Sequence, residues 1–275
     1  MVGQKNNLEF LQTCLEAGRF PRFLILTGPK GSGRKTLAKY IAKKCLHAYE
    51  VYPGMGVEAV REAIENSYRC AVTTVYMFPD ADKMSSQAKN ALLKVTEEPP
   101  RRAYFIMTVE SMNNTLATLK SRGIEIAMEP YSKAELAEFR KPNNAMEELA
   151  LNIAATPGQY LDLVAADAEK FYAFCERVLD NIAAVTGVNA FKIGNYFKFK
   201  EDDEGYDPVL FFECVKYICA QRAKKSNSKE ELVCLNETIK CTNAYSRELM
   251  MTGVRKDSTF DMWILEMRDI WKEIQ

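Results

Sequence analysis

A glycine-rich run, Gly28-Pro-Lys-Gly-Ser-Gly-Arg-Lys-Thr36, is the part of this 275-residue sequence best suited to chemistry. Gly28, Gly31 and Gly33 let the backbone curl until its N–H groups converge on an anion. A strand before such a run and a helix after it make a phosphate-binding loop. The apolar Phe23–Leu26 and the helical composition of Thr36–Cys45 meet both conditions. The usual pattern is G-x-x-x-x-G-K followed by Ser or Thr. Counted from Gly28, Gly33 takes the second glycine slot, Arg34 the lysine slot and Lys35 the slot of the Mg²⁺-binding hydroxyl. Lysine has no oxygen to offer a metal. Thr36 comes one position late, about 100° further round a helix. The loop is therefore expected to bind ATP and Mg²⁺ weakly or not at all.

A competent site also needs a carboxylate at the end of a neighbouring strand, to hold Mg²⁺ and polarise water. The candidate is Val75-Tyr-Met-Phe-Pro79-Asp80-Ala-Asp82. Pro79 stands directly after the apolar run, where the metal-binding acid belongs. Asp80 follows one position late. Asp80 and Asp82 can bind Mg²⁺ or cap the next helix, and capping is the expectation. Lys30, Arg34, Lys35, Lys39, Lys43 and Lys44 make the loop and its helix basic, suited either to a phosphate or DNA backbone or to plain solvation.

Composition removes other chemistries. The single histidine, His47, excludes multi-histidine metal sites and leaves little room for a histidine-based triad. Eight cysteines, at 14, 45, 70, 175, 214, 219, 234 and 241, include no C-x-x-C, so no zinc is expected and reduced, buried thiols are. Lys plus Arg (37) balances Asp plus Glu (37), so any DNA contact must come from a local patch or from partners. The opening MVGQKNNLEFLQ lacks the pattern of a secretory leader, no apolar run is long enough to span a membrane, and a cytoplasmic setting is expected.

The elements that position these residues alternate in the first half. Phe23–Leu26, Val72–Phe78, Tyr104–Val109 and Ile124–Met128 read as buried strands. Thr36–Cys45, Val57–Tyr68 and Ser86–Glu97 read as helices. Continuous apolar strands separated by helices indicate an α/β fold, a parallel sheet covered on both faces. After Pro130 the pattern is helical. Ser132 and Glu135 read as one capping box, Ser228 and Glu231 as a second. Leu210, Phe211, Cys214, Val215 and Ile218 form one stripe, and Phe260, Trp263, Ile264, Met267 and Trp271 another. Lys200–Asp207 reads as an acidic loop. Three parts are expected: an α/β domain over 1–128, a small helical domain over 129–167 and a helical bundle over 168–275.

An ordered set of motifs then resembles a known family. Asp80-Ala-Asp-Lys-Met84, Ala88–Lys94 with Asn-Ala-Leu-Leu-Lys, Glu97-Glu-Pro-Pro100 and Thr118-Leu-Lys-Ser-Arg122 are similar to the DADKM, NALLK, EEPP and TIxSRC stretches of bacterial clamp-loader subunits. Val2-Gly3-Gln4 matches the opening of that family. The resemblance covers about residues 2 to 128 and is greatest to the delta-prime type of subunit. It implies an AAA+ P-loop domain, a helical lid and a C-terminal helical collar. It further implies the other clamp-loader subunits as partners, and the sliding clamp and primed DNA through the assembly. Such subunits keep the Ser-Arg pair, here Ser121 and Arg122, to place an arginine in a neighbour's ATP site, while their own site has decayed. Gly123 replaces the family's cysteine, and Leu161 stands where an ATP-sensing arginine is common. The implied role is a non-hydrolysing stator. An ATP-hydrolysing motor subunit is the alternative, and a small-molecule kinase lacks a second substrate motif.

Overall fold

The computed structural model describes residues 2–143, 145–165, 168–199, 205–251 and 254–272. The chain divides into two compact units, Met1–Tyr131 and Ser132–Gln275.

In the first unit the order is α1 (Lys5–Glu16), β1 (Phe23–Thr27), α2 (Arg34–Tyr40), β2 (Tyr49–Val51), α3 (Val57–Arg69), β3 (Thr74–Phe78), α4 (Ser86–Glu97), β4 (Ala103–Val109), α5 (Ala117–Lys120) and β5 (Ile124–Ala127). The strands form one parallel sheet in the order β2-β3-β4-β1-β5. Side chains alternate across a strand, so both faces can be read off β1 and β3. Phe23, Ile25, Tyr76 and Phe78 join a core with Val60 of α3 and Leu92 of α4. Leu24, Leu26, Val75 and Met77 join another with Leu11 of α1 and Leu37 of α2. Burial on both sides explains why these strands are apolar without interruption.

Two local features differ from expectation. The helix after the loop is α-helical only to Tyr40, and Ile41–Cys45 is a π turn. Strand β2 has three residues and lies at the sheet edge, too short for a periodic signal.

The N-terminal Val-Gly-Gln segment is anchored by Gln4, which is buried and has a positive φ of 62°. Its Nε2 donates to the Glu129 carbonyl at 3.0 Å, and its Oε1 accepts from the Glu129 N–H at 2.9 Å and from Asn7 Nδ2 at 2.8 Å. The side chain therefore pairs with Glu129 as an adjacent strand would. Gln4→Ala is expected to cost about 2 kcal/mol, because the Glu129 amide and carbonyl lose their partners; denaturant unfolding of the full chain measures it.

The second unit is helical: α6 (Lys133–Phe139), α7 (Ala145–Ile153), α8 (Pro157–Ala165), α9 (Ala168–Asp180), α10 (Gly187–Gly194), α11 (Pro208–Lys225), α12 (Lys229–Leu249) and α13 (Lys256–Lys272). Ser132 and Glu135 make the full reciprocal capping box that starts α6. At α12 only half of the expected box forms. Ser228 accepts from the Glu231 N–H, whereas the Glu231 carboxylate turns to the Ser226 hydroxyl. Both expected stripes are core except for Trp271, which is half-buried with Nε1 donating to Thr238 Oγ1 at 2.9 Å: α11 packs on α12, α12 on α13, and Phe211, Phe212, Phe260 and Trp263 make a contiguous aromatic cluster. Of the acidic loop, residues 200–204 lie outside the described residues, and Asp207 caps α11 by accepting from the Val209 N–H. Among the described residues no helix is long and apolar enough to cross a membrane.

Candidate functional site

Strand β1 ends at Thr27 and delivers Gly28 to the loop with φ 153°; Gly31 and Gly33 have φ 79° and 91°. At Gly28 space also demands glycine, since a Cβ there would come within 2.8 Å of Met128 Cβ and 3.0 Å of Ser32 Oγ. The Tyr131 hydroxyl donates to the Ser32 carbonyl at 2.9 Å and pins the loop from beyond β5. Tyr131 belongs to no motif, and the sequence contains no signal for it.

The two residues that replace the usual lysine and hydroxyl converge on one acid. Lys35 Nζ is 2.5 Å from Asp80 Oδ2, and Arg34 Nη2 is 3.9 Å from Asp80 Oδ1. Asp80 stays in reach because its φ of 54° turns the chain just after β3, and its N–H donates to Thr108 Oγ1 at 2.9 Å. Thr108, buried near the end of β4, closes the Phe105–Thr108 stretch that resembles the family's sensor-1 strand. The expected helix-capping role of Asp80 and Asp82 is not what the structure shows. Ser85 caps α4, accepting from the Ala88 N–H, and an Asp82 oxygen accepts from the Glu110 N–H at 2.9 Å. The reason is spacing: Asp80 and Asp82 belong to the preceding turn, too early to reach the first amides of α4. Thr36 is exposed on α2 and makes no part of this cluster.

Two buried donors of the loop lack acceptors, Arg34 Nη1 and Ser32 Oγ. Arg34 is 6% exposed. A buried, unmatched donor is costly, the more so on a charged group, and one phosphate oxygen is the kind of acceptor both would take. The loop therefore fits a phosphate group. It does not fit Mg²⁺, which needs hard oxygen ligands near 2.1 Å in octahedral array. The hydroxyl ligand is absent at Lys35, and both oxygens of Asp80 face cations. A dication about 4 Å from the Lys35 ammonium would be repelled by about 4 kcal/mol per unit of its charge. Among the described residues no group of three or more His, Cys, Asp or Glu side chains is arranged to hold a metal.

Arg122 stands apart from this loop. It follows Ser121 at the end of α5, two residues before β5. Ile124 of β5 pairs with Leu24 of β1, and Ala127 pairs with Thr27, next to Gly28. At about 3.3 Å per residue, the strand length from Leu24 to Gly28 alone is about 13 Å. Arg122 lies beyond the far end of that span and cannot reach its own P-loop. It is held by Glu97, the last residue of α4: Arg122 Nε donates to Glu97 Oε1 at 2.8 Å, Nη2 bonds the same oxygen, and Nη1 donates to the Thr118 carbonyl at 2.5 Å. Ser121 Oγ donates to that same carbonyl at 3.1 Å. Glu97 is legible as part of a motif, but its partner is not.

Gly123 has a packing reason. A Cβ there would lie 2.8 Å from Ile25 Cδ1 and Cγ1 and 3.0 Å from Phe23 Cε1, all in the sheet core. Gly123→Cys is expected to destabilise the chain by about 1–3 kcal/mol through overpacking; a lowered chemical-denaturation midpoint with an unchanged slope is the result to look for.

Other candidate features resolve as structure. Lys43 faces Glu50 at 3.7 Å. Trp263 is fully buried, with Nε1 donating to Thr242 Oγ1 at 3.1 Å, so it is core and not a stacking platform for bases. All eight cysteines are free, and burial raises the thiols of Cys175, Cys219, Cys234 and Cys241 above their usual range. Leu161, on α8, is exposed.

Residues 55–132, which contain Asp80, Glu97 and Arg122, match the family described as DNA polymerase III, delta subunit. The chain is 26% identical over 188 residues to DNA polymerase III subunit gamma of Buchnera aphidicola subsp. Schizaphis graminum, covering 56% of this chain and 52% of that protein. It is 33% identical over 109 residues to DNA polymerase III subunit delta' of Yersinia pestis, covering 38% of this chain and 26% of that protein. The chain thus spans about half the length, or less, of these relatives. Among solved structures, a point variant of the Thermotoga maritima protein RuvB aligns with a TM-score of 0.51 at 16% identity, covering 96% of this chain and 88% of that one. That likeness concerns the fold, which is AAA+-like. The comparisons thus show a similarity to DNA polymerase III subunits over parts of this chain, residues 55–132 in the family match.

Proposed function

We propose that this chain is a non-hydrolysing stator of a sliding-clamp loader in DNA replication, and that it supplies Arg122 in trans to the ATP site of a neighbouring subunit. The observation that carries the reading is the position of Arg122. It lies at the end of the sheet opposite its own P-loop, and Glu97 and the Thr118 carbonyl orient its guanidinium. A phosphate-directed arginine so placed can serve only another chain's site. The state of the chain's own loop agrees, because Lys35 replaces a metal ligand and turns to Asp80. A guanidinium brought to a γ-phosphate stabilises the charge that builds up in phosphoryl transfer. In this reading the partners are the motor ATPase subunits and the clamp-opening subunit, reached through the AAA+ domain and a helical collar. The clamp and primed DNA are met through the assembly.

The relatives named gamma favour one other reading, an ATP-hydrolysing motor subunit. The two are separated by paired variants in a reconstituted loader. The stator reading expects Lys35→Ala to leave clamp-stimulated ATP turnover unchanged and Arg122→Ala to abolish it at one site. The opposite pattern overturns it.

A further inference from the structure

The P-loop of this chain carries a cation of its own where the pattern calls for a metal ligand. Lys35 takes the hydroxyl slot, and its ammonium lies 2.5 Å from Asp80 Oδ2. The other oxygen of Asp80 faces Arg34 at 3.9 Å. Two positive groups therefore stand on one acid, and the cluster has a net positive charge before any ligand arrives. Deeper in the same loop, the buried Arg34 Nη1 and Ser32 Oγ are donors with no acceptor. Ser32 Oγ lies across the loop from Gly28, 3.0 Å from where a Cβ would stand. Donors without acceptors beside surplus positive charge describe a site for an anion rich in oxygen. The same residues repel a divalent cation.

We propose that this loop takes the phosphate chain of a polyphosphate without a divalent metal, Lys35 supplying the positive charge that Mg²⁺ brings elsewhere. The inference deepens the reading of the chain as a non-hydrolysing subunit and rests on that reading only for the absence of turnover. It makes an unusual sign prediction. In an ordinary nucleotide site Mg²⁺ strengthens binding. Here Mg²⁺ competes with Lys35 and Arg34 for the same phosphate oxygens, so it weakens binding.

The experiment is titration calorimetry of the full chain with tripolyphosphate and with a non-hydrolysable ATP analogue, each in EDTA and in excess Mg²⁺. Both ligands are expected to bind in EDTA, and Mg²⁺ is expected to weaken each by about fivefold or more, since complexation lowers the charge offered to the site. Lys35→Thr restores the metal-ligating hydroxyl at a residue whose side chain is more than half exposed, so folding is not at risk. In that variant Mg²⁺ is expected to strengthen binding of the ATP analogue. Absence of binding heat in EDTA at millimolar ligand overturns the proposal. So does stronger binding with Mg²⁺ in the unaltered chain, or binding of the analogue without any of tripolyphosphate. None of these results bears on Arg122, whose role is read from a neighbour's turnover.

Discussion

Replacing Arg122 by alanine is expected to cut ATP turnover at the neighbouring site of a reconstituted loader by about a thousandfold, the lower end of what an arginine finger contributes. The loss should appear in the rate and not in the affinity of the chain for its partners, because the side chain acts on charge that develops during transfer. Assembly is checked by size exclusion, and turnover by single-turnover kinetics at the affected site. Glu97 sets the orientation of that guanidinium. It bonds Arg122 through Nε and Nη2 and is half exposed, so the pair contributes about 1 kcal/mol at most. Glu97→Ala keeps the guanidinium charge but loosens its orientation, and a loss of about fivefold is the corresponding expectation. Arg122→Lys keeps the charge and loses the planar fork that can be held by Glu97 and the Thr118 carbonyl together. It should behave much more like alanine than like the Glu97 variant. Full turnover with Arg122→Ala would end the stator reading.

The second large effect concerns stability. Trp263 is fully buried among Phe211, Phe212 and Phe260, with ring centroids 5.5, 4.9 and 5.9 Å away. Trp263→Ala is expected to cost about 3–5 kcal/mol, from lost apolar burial and from the cavity that remains. For a helical unit of this size that lowers the melting temperature by about 10 °C, measurable by circular dichroism. Trp263→Phe should cost less. It loses the hydrogen bond to Thr242, but Thr242 Oγ1 keeps its own bond to the Thr238 carbonyl at 2.7 Å. A Trp263→Ala chain as stable as the parent would mean that the α11–α13 packing is not what holds this unit together.

Much of the architecture is legible in the sequence because it rests on periodicity. The expected and observed bounds of β1, β4, α3 and α4 agree within one residue at each end, since long apolar or 3.6-period patterns come from burial against a sheet. The short edge strand β2 and the π turn at Ile41–Cys45 are not legible, because three to five residues contain too little pattern. The half-formed capping box at Ser228 shows the limit of a local rule: Glu231 has another hydroxyl, that of Ser226, within reach.

The elements, the order of motifs, the slots that Arg34 and Lys35 occupy, and Ser121-Arg122 before the last strand can all be read along the chain. These are properties of spacing along the chain, and local sterics and hydrophobic period express them directly. What those residues do to each other follows from packing between distant segments. That Lys35 turns to Asp80, 45 residues away, depends on β3 ending at the same edge of the parallel sheet as β1, with β4 between them, and on the left-handed turn at Asp80. That Glu97 holds Arg122 depends on α4 packing against α5. That Arg122 cannot serve its own loop depends on the parallel register of β5 with β1. Each depends on how segments distant in sequence pack around the apolar cores of the sheet, and no local pattern encodes which side chains such packing brings together or keeps apart.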